Sequence, residues 1–163
     1  MPVTVRPLDP TDFAQLRPML LDMGFVEDEA ALAARFPAFC ATPAWVVLGA
    51  FEDGTLLGYA AAQDAGADLR SGNSHRTAKL HDLYTLPQAR RQGVGRALMK
   101  AVETWACESG LRYLYWYANL HEASPAYVGM GYVPGAEVQE GYHFFELNFR
   151  AANTRRPHPE RGQ

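Results

Sequence analysis

The length, composition and charge of the chain indicate one ordinary globular domain. Of its 163 residues 48% are hydrophobic and 20% are charged, with a net charge of −3. This composition supports a hydrophobic core and excludes wholesale disorder. The slight negative charge argues against a protein that binds nucleic acid through overall positive charge. No apolar run approaches the ~20 residues of a membrane span, and the first residues do not resemble a secretory signal. We therefore expect a cytoplasmic protein with no nucleic-acid or membrane partner.

Hydrophobic periodicity predicts a strand, two helices and three further strands in the first half of the chain. The predicted strands cover residues 3–7, 44–51, 56–63 and 78–86. The predicted helices cover residues 10–24 and 28–43. Pro18 is expected to kink or shorten the first helix, and Pro37 and Pro43 to bound the end of the second. Residues 52–54 have the sequence of a hairpin turn, and residues 65–77 are predicted to form a loop.

The second half contains the most amphipathic helix of the chain, predicted over residues 93–109. A strand at residues 111–118, a short helix at 123–130 and strands at 131–133 and 142–149 follow. Residues 151–163 are predicted to be a disordered tail, which leaves residues 1–150 as a single domain. This element order combines hairpins with a β-α-β crossover and therefore predicts a mixed α/β fold.

The spacing of cysteine and histidine predicts no metal site. Cys40 and Cys107 lie far apart and form no CxxC pair, and none of the 5 histidines has another at i+3 or i+4. Structural zinc sites depend on such close spacings. We therefore expect no bound metal and no disulfide framework.

The segment between the fourth strand and the amphipathic helix has the chemistry of an anion site. Three arginines, Arg90, Arg91 and Arg96, surround Gly93 and Gly95 at the start of the helix. The first N–H groups of a helix have no partner within it, and the helix dipole adds positive charge there. Glycines let a phosphate approach closely, and guanidinium groups suit its oxygens. The same glycines would also allow close packing of strand and helix. The P-loop and Rossmann patterns are both absent.

These residues resemble a known family. Residues 90–95, RRQGVG, match the Q/R-x-x-G-x-G/A acetyl-CoA signature of the GNAT superfamily of N-acetyltransferases. A second segment is similar to the family pattern N-x-x-A-x-x-x-Y-x-x-x-G-[FY]. Its matching residues are Asn119, Ala123, Tyr127, Gly131 and Tyr132, with one residue more than the pattern between Asn119 and Ala123. The resemblance covers residues 78–133.

The resemblance implies a GNAT-like α/β (α+β) fold. In it, a mostly antiparallel sheet of about six to seven strands is flanked by about four helices, and a splayed strand pair holds the coenzyme. Acetyl-CoA is the implied co-substrate, and no metal is implied. Backbone groups of Leu83, Tyr84 and Thr85 would bind the pantetheine and acetyl group. The other implied coenzyme-binding residues are Arg90, Arg91, Gln92, Gly93, Val94, Gly95, Arg96 and Asn119.

The resemblance also implies a reaction. Such enzymes transfer the acetyl group to a primary amine of a small molecule or peptide by direct attack in a ternary complex. Tyr127 matches the family's tyrosine near the coenzyme sulfur, and a phenol with a pKa of ~10 can protonate a departing thiolate. The general base could be His81, Asp82, Glu122 or a water molecule. Because side chains alternate along a strand, only one of His81 and Asp82 is expected to face the site.

Two other functions stay open at this point. One is a non-catalytic acyl-CoA-binding module of the same fold, and the other is an interaction domain whose RRQG loop binds an anionic partner. The resemblance is also compatible with a homodimer, for which the last strand, at residues 142–149, is a candidate edge. Residues 65–77 are long enough to cover an acceptor site or to be a simple connection.

Overall fold

The computed structural model of the chain describes residues 2–135 and 139–150, which contain six strands and four α-helices. The strands are β1 Thr4–Pro7, β2 Trp45–Glu52, β3 Thr55–Asp64, β4 Thr77–Thr85, β5 Tyr113–Asn119 and β6 Tyr142–Asn148. The α-helices are α1 Phe13–Met23, α2 Glu29–Ala41, α3 Val94–Glu108 and α4 Ala123–Gly129. Within the described residues, no helix combines the length and the apolar character needed to cross a membrane.

The six strands form one sheet in the order β1-β2-β3-β4-β5-β6. Strand β2 is antiparallel to β1 and β3, and β6 is antiparallel to β5. Strands β4 and β5 are parallel, and their register runs only from Thr77 with Tyr113 to Lys79 with Tyr115. A parallel pair requires a crossover connection, which α3 supplies. The predicted mixed α/β fold with a mostly antiparallel sheet is confirmed.

The chain divides into two compact units, each with its own buried cluster. The first comprises the described residues up to 63 together with residues 81–105, and the second the described residues of 64–80 and 106–150. The core of the first unit includes Leu16, Met19, Phe36, Leu56 and Tyr59. The core of the second is an aromatic cluster of Trp116, Tyr127, Tyr132 and Phe145. The predicted tail, residues 151–163, lies outside the described residues.

The ends of α1 and α2 lie within two residues of the predicted ones, and neither helix stops at the proline inside it, because burial outweighs the local effect of proline. Helix α1 continues past Pro18 to Met23, and α2 continues past Pro37 to Ala41. A proline inside a helix removes one hydrogen bond and crowds the preceding turn. In α1, however, residues on both sides of the proline are fully buried, Leu16 at 1% and Met19 at 2% exposure. Packing of such a face supplies most helix stability in proteins.

The strand predicted to begin at residues 131–133 does not start there, because the backbone of Gly131 and Tyr132 caps α4. Gly131 has φ +100, in the left-handed region that ends many helices. The N–H groups of Gly131 and Tyr132 donate to the carbonyls of Val128 and Tyr127 at 3.0 and 3.1 Å. Donors occupied in this way cannot join a strand ladder. The side chain of Tyr132 is nevertheless buried in the aromatic cluster of the second unit.

Two connections follow their predictions. The turn between β2 and β3 has left-handed residues at Asp53 and Gly54, with φ 50 and 79, as a type I′ hairpin requires. Residues 65–76 form a loop in the second unit, closed at its base by an ion pair between Arg76 and Asp64. Burial by itself would raise the pKa of the Asp64 carboxyl. Hydrogen bonds from Arg76 and the Gly66 amide outweigh this effect of burial, so the pKa lies below its usual value.

Candidate active site

The predicted anion-binding loop connects β4 to α3 in the first unit. A short 3-10 turn, Pro87–Ala89, follows β4, and α3 begins at Val94. Between them Arg91 and Gly93 are left-handed, with φ 65 and 85. A left-handed conformation is uncommon for a non-glycine residue. Turns of this type direct successive N–H groups into one concavity that suits an anion. The first turn of α3 leaves N–H groups without partners inside the helix, and the two left-handed residues of the loop lie directly before it.

The two arginines at the start of this loop have different surroundings. Arg90 Nε donates to the carbonyl oxygen of Thr85 at 3.0 Å, and its guanidinium carbon lies 5.9 Å from the centre of the Tyr84 ring. Its side chain therefore folds back along the end of β4. The Arg91 side chain is exposed and makes no hydrogen bond or ion pair within the described residues. Arg91 is thus the better placed of the two to meet an anion.

Gly58 on β3 allows β4 to approach closely just before the loop. A Cβ at this position would lie 2.4 Å from the carbonyl oxygen of Tyr84, 3.2 Å from Thr85 Cα and 3.1 Å from Val94 Cγ1. The Tyr84 carbonyl therefore faces β3. Carbonyls alternate in direction along a strand, so the backbone groups of Leu83 and Thr85 point toward the opposite edge of β4. A glycine inside a predicted strand is the sequence signal that often marks such an approach.

Replacing Gly58 by alanine is expected to destabilise the protein by about 1–3 kcal/mol, the usual range for overpacking. The new methyl group would meet backbone atoms, which cannot move aside as a flexible side chain would. Urea denaturation followed by circular dichroism measures the change. Gly129→Ala is the matched control: nothing lies within 4 Å of its Cβ position, so its stability should be equal to or slightly above that of the parent. Equal stabilities of the two variants would contradict the close approach.

Asp82 lies in an environment that the sequence did not reveal. The hydroxyl of Tyr59, on β3, donates to Asp82 Oδ2 at 2.9 Å, and Tyr59 is only 1% exposed. Burial raises the pKa of Tyr59 far above its usual value, and the neighbouring Asp82 carboxylate raises it further. Tyr59 therefore remains a protonated donor that orients the carboxylate. No other hydrogen bond engages Asp82 within the described residues.

His81 and Asp82 contact the same face of β3, so the prediction that only one of them faces a common site is wrong. His81 Nε2 lies 3.1 Å from Gln63 Oε1, while Asp82 bonds to Tyr59. Gln63 and Tyr59 are four positions apart on β3 and so share a face. Strict alternation is therefore broken between His81 and Asp82, as it is at a β-bulge. Both residues line one pocket in the first unit, beside Trp45 and Tyr59.

Gln92 and Arg96 belong to the first unit, and the predicted residues Asn119, Glu122 and Tyr127 lie in the second. The Asn119 carboxamide oxygen accepts hydrogen bonds from the His121 and Glu122 amides at 2.8 and 3.0 Å, and so shapes the turn that begins α4. Tyr127 is buried on α4, with its ring 5.2 Å from that of Trp116. One turn earlier on α4, Ser124 Oγ lies 2.6 Å from His143 Nδ1 of β6. These contacts give Tyr127 a defined position within its unit.

Comparison with known proteins identifies the family. The sequence matches the acetyltransferase (GNAT) family over residues 13–132. It is 37% identical over 108 residues to the aminoglycoside N(6')-acetyltransferase type 1 of Klebsiella aerogenes, covering 63% of this chain and 69% of that protein. The chain therefore belongs to the GNAT family of acetyltransferases, and it is an N-acetyltransferase.

Solved structures with low sequence identity share the fold. One is the aminoglycoside acetyltransferase AAC(6')-Iy with a CoA bisubstrate analogue: TM-score 0.73, 18% identity, covering 85% of this chain and 96% of that chain. Another is the PaiA N-acetyltransferase of Thermoplasma acidophilum in complex with coenzyme A: TM-score 0.69, 16% identity, covering 91% of this chain and 100% of that chain. The fold of this chain is thus one that holds coenzyme A in its relatives.

Proposed function

We propose that this enzyme uses acetyl-CoA to acetylate a primary amine of a small molecule by direct attack in a ternary complex. The observation that carries the proposal is the loop at residues 90–93, which combines left-handed turns, exposed basic side chains and the start of α3. Acetylation of a small-molecule amine is supported by the relatives, several of which are named for aminoglycosides.

The residues of the first unit fit the groups of acetyl-CoA. Backbone N–H groups of the loop and of Val94 and Gly95 would hold the pyrophosphate, with the Arg91 and Arg96 side chains assisting. The backbone groups that Leu83 and Thr85 direct away from β3 would bind the pantetheine arm as an added strand does. Gln92 and Asn119 stay in the predicted coenzyme set, although Asn119 already has the structural contacts described above.

The reaction needs three proton movements, which residues of this chain would assist. Acetyl-CoA supplies an activated acetyl thioester. The acceptor ammonium first loses one proton and becomes a nucleophile. A C–N bond then forms as the C–S bond breaks, the nitrogen loses a second proton, the departing sulfur gains one, and one proton is released overall. An N–H group of β4 would polarise the thioester carbonyl, and Tyr127 would donate the proton to sulfur. Asp82 and His81 both line the pocket beside β4, and either would accept the amine proton directly or through water.

A homodimer through β6 is consistent with its place at the end of the sheet order. Residues 65–76 would cover an acceptor only if this loop opens and closes. The ion pair between Arg76 and Asp64 at the base of the loop would limit that movement.

Calorimetric titration with acetyl-CoA, with CoA and ATP as controls, tests the proposal. Saturable binding of acetyl-CoA and CoA, weaker binding of ATP, and amine-dependent release of the CoA thiol are expected. Binding without thiol release on any amine would instead indicate a non-catalytic acyl-CoA-binding module. The absence of coenzyme binding by the folded protein would overturn the site assignment.

A further inference from the structure

The pocket beside Asp82 is small and its walls are largely apolar. Its volume is about 270 Å³, and it is formed within the first unit by α1, α2 and strands β2 to β4. Sites for drug-sized ligands span about 300–1,000 Å³, so this pocket suits a small acceptor. Eight of its twelve lining residues have apolar side chains, including Leu20, Phe36, Phe39 and Trp45.

The aromatic side chains give the pocket flat walls. The ring centres of Phe39 and Trp45 are 4.9 Å apart in an edge-to-face contact, and those of Trp45 and His81 are 4.7 Å apart. Rings arranged in this way present faces and edges on which another aromatic group can pack. Burial of an apolar body against them also releases water from both surfaces.

The charged side chains that line the pocket favour one positive charge on a bound ligand and disfavour a second. Asp82 is its only carboxylate among the lining residues, and Arg35 also lines it. The Asp82 carboxylate is half-buried and is oriented by the Tyr59 hydroxyl. The exposed Arg35 side chain has no ion-pair partner within the described residues. An ammonium group would therefore be held at Asp82, while a further positive charge would meet Arg35 or an apolar wall, both unfavourable.

From these observations we propose that the acceptor is a small primary amine with a single positive charge and an apolar, preferably aromatic, body, whose amino group is held by Asp82. This inference rests on the proposed function. The acceptor of this chain would then differ in chemistry from that of the Klebsiella aerogenes relative, which is named for aminoglycosides. Aminoglycosides carry several amino groups on a polar scaffold.

A substrate panel tests the inference. Release of the CoA thiol is measured with acetyl-CoA and 2-phenylethylamine, hexylamine, spermidine or kanamycin. We expect kcat/KM to be highest for 2-phenylethylamine and at least about tenfold lower for both polycations, a difference of about 1.4 kcal/mol. A preference for spermidine or kanamycin would overturn the substrate class while leaving the acetyltransferase activity established.

Two variants test whether side chains of the pocket discriminate between amines with one positive charge and amines with several. Asp82→Asn should lower kcat/KM for 2-phenylethylamine at least about 10- to 100-fold, the loss of one charged hydrogen bond, and leave acetyl-CoA affinity unchanged. Arg35→Glu should raise kcat/KM for spermidine relative to 2-phenylethylamine. Lys100→Glu is the matched control, because Lys100 is an exposed residue of α3 that does not line the pocket. Equal changes in the Arg35 and Lys100 variants would overturn the role of Arg35.

Direct amine binding separates this inference from the proposed reaction. Calorimetric titration with 2-phenylethylamine in the presence of saturating CoA measures amine binding in the pocket without turnover. The titration is repeated without CoA. Binding by the parent protein and its loss in Asp82→Asn would support the inference even if no thiol were released. If coenzyme binds but the amine does not, the inference is overturned and the coenzyme site is retained.

Discussion

Replacing Gly95 by tryptophan is expected to abolish measurable acetyl-CoA binding. Gly95 lies in the first turn of α3, directly after the left-handed residues Arg91 and Gly93. In the proposed site the pyrophosphate approaches this turn closely, and an indole ring would occupy its space. We expect a loss of affinity of roughly 100-fold or more, which corresponds to about 3 kcal/mol.

Calorimetric titration of the variant with acetyl-CoA measures this effect. Lys100→Trp places the same side chain on an exposed position of the same helix and should bind the coenzyme as the parent does. Circular dichroism establishes that both variants are folded. Normal acetyl-CoA affinity in Gly95→Trp would show that the coenzyme does not occupy this loop.

Replacing Tyr127 by phenylalanine is expected to lower kcat by about 10²- to 10⁴-fold, the usual contribution of a positioned general acid. The variant keeps the ring, which packs 5.2 Å from Trp116 and 5.4 Å from Phe145, so the second unit should remain folded. It lacks the hydroxyl that would protonate the departing sulfur. KM for both substrates should change little, because the lost interaction belongs to the transition state.

Steady-state kinetics of thiol release test this prediction. Tyr132→Phe is the control, because Tyr132 belongs to the same aromatic cluster and its variant should retain the parent's kcat. An unchanged kcat in Tyr127→Phe would exclude Tyr127 as the general acid. A rise in KM with kcat unchanged would instead indicate a binding role.

The loop between β4 and α3 illustrates how much of the structure the local sequence can predict. Strand, loop and helix follow one another directly between residues 77 and 108, and the observed bounds of β4 and α3 lie within one residue of the predicted ones. The end of the strand, the proline that follows it and the glycines before the helix are all local signals, which is why these bounds could be predicted. The family motif covers the same segment, so pattern and local physics coincide there.

The pocket beside Asp82 shows what could not be predicted in this way. Its lining residues come from two helices and three strands that are far apart in sequence. Their meeting depends on the strand order and on how the helices pack, neither of which leaves a short-range signal. The Tyr59–Asp82 hydrogen bond joins residues 23 positions apart. The break in alternation at His81 likewise depends on a neighbouring strand.

The family, the mostly antiparallel α/β fold and the bounds of the loop between β4 and α3 could be predicted from the chain, because they depend on periodicity and on contiguous motifs. The folded chain adds that neither α1 nor α2 stops at its internal proline, that Gly58 lets β4 approach closely, and that Asp82 lies in an aromatic pocket. Each of these depends on burial or contact between distant segments, whose free energy can outweigh local conformational preference.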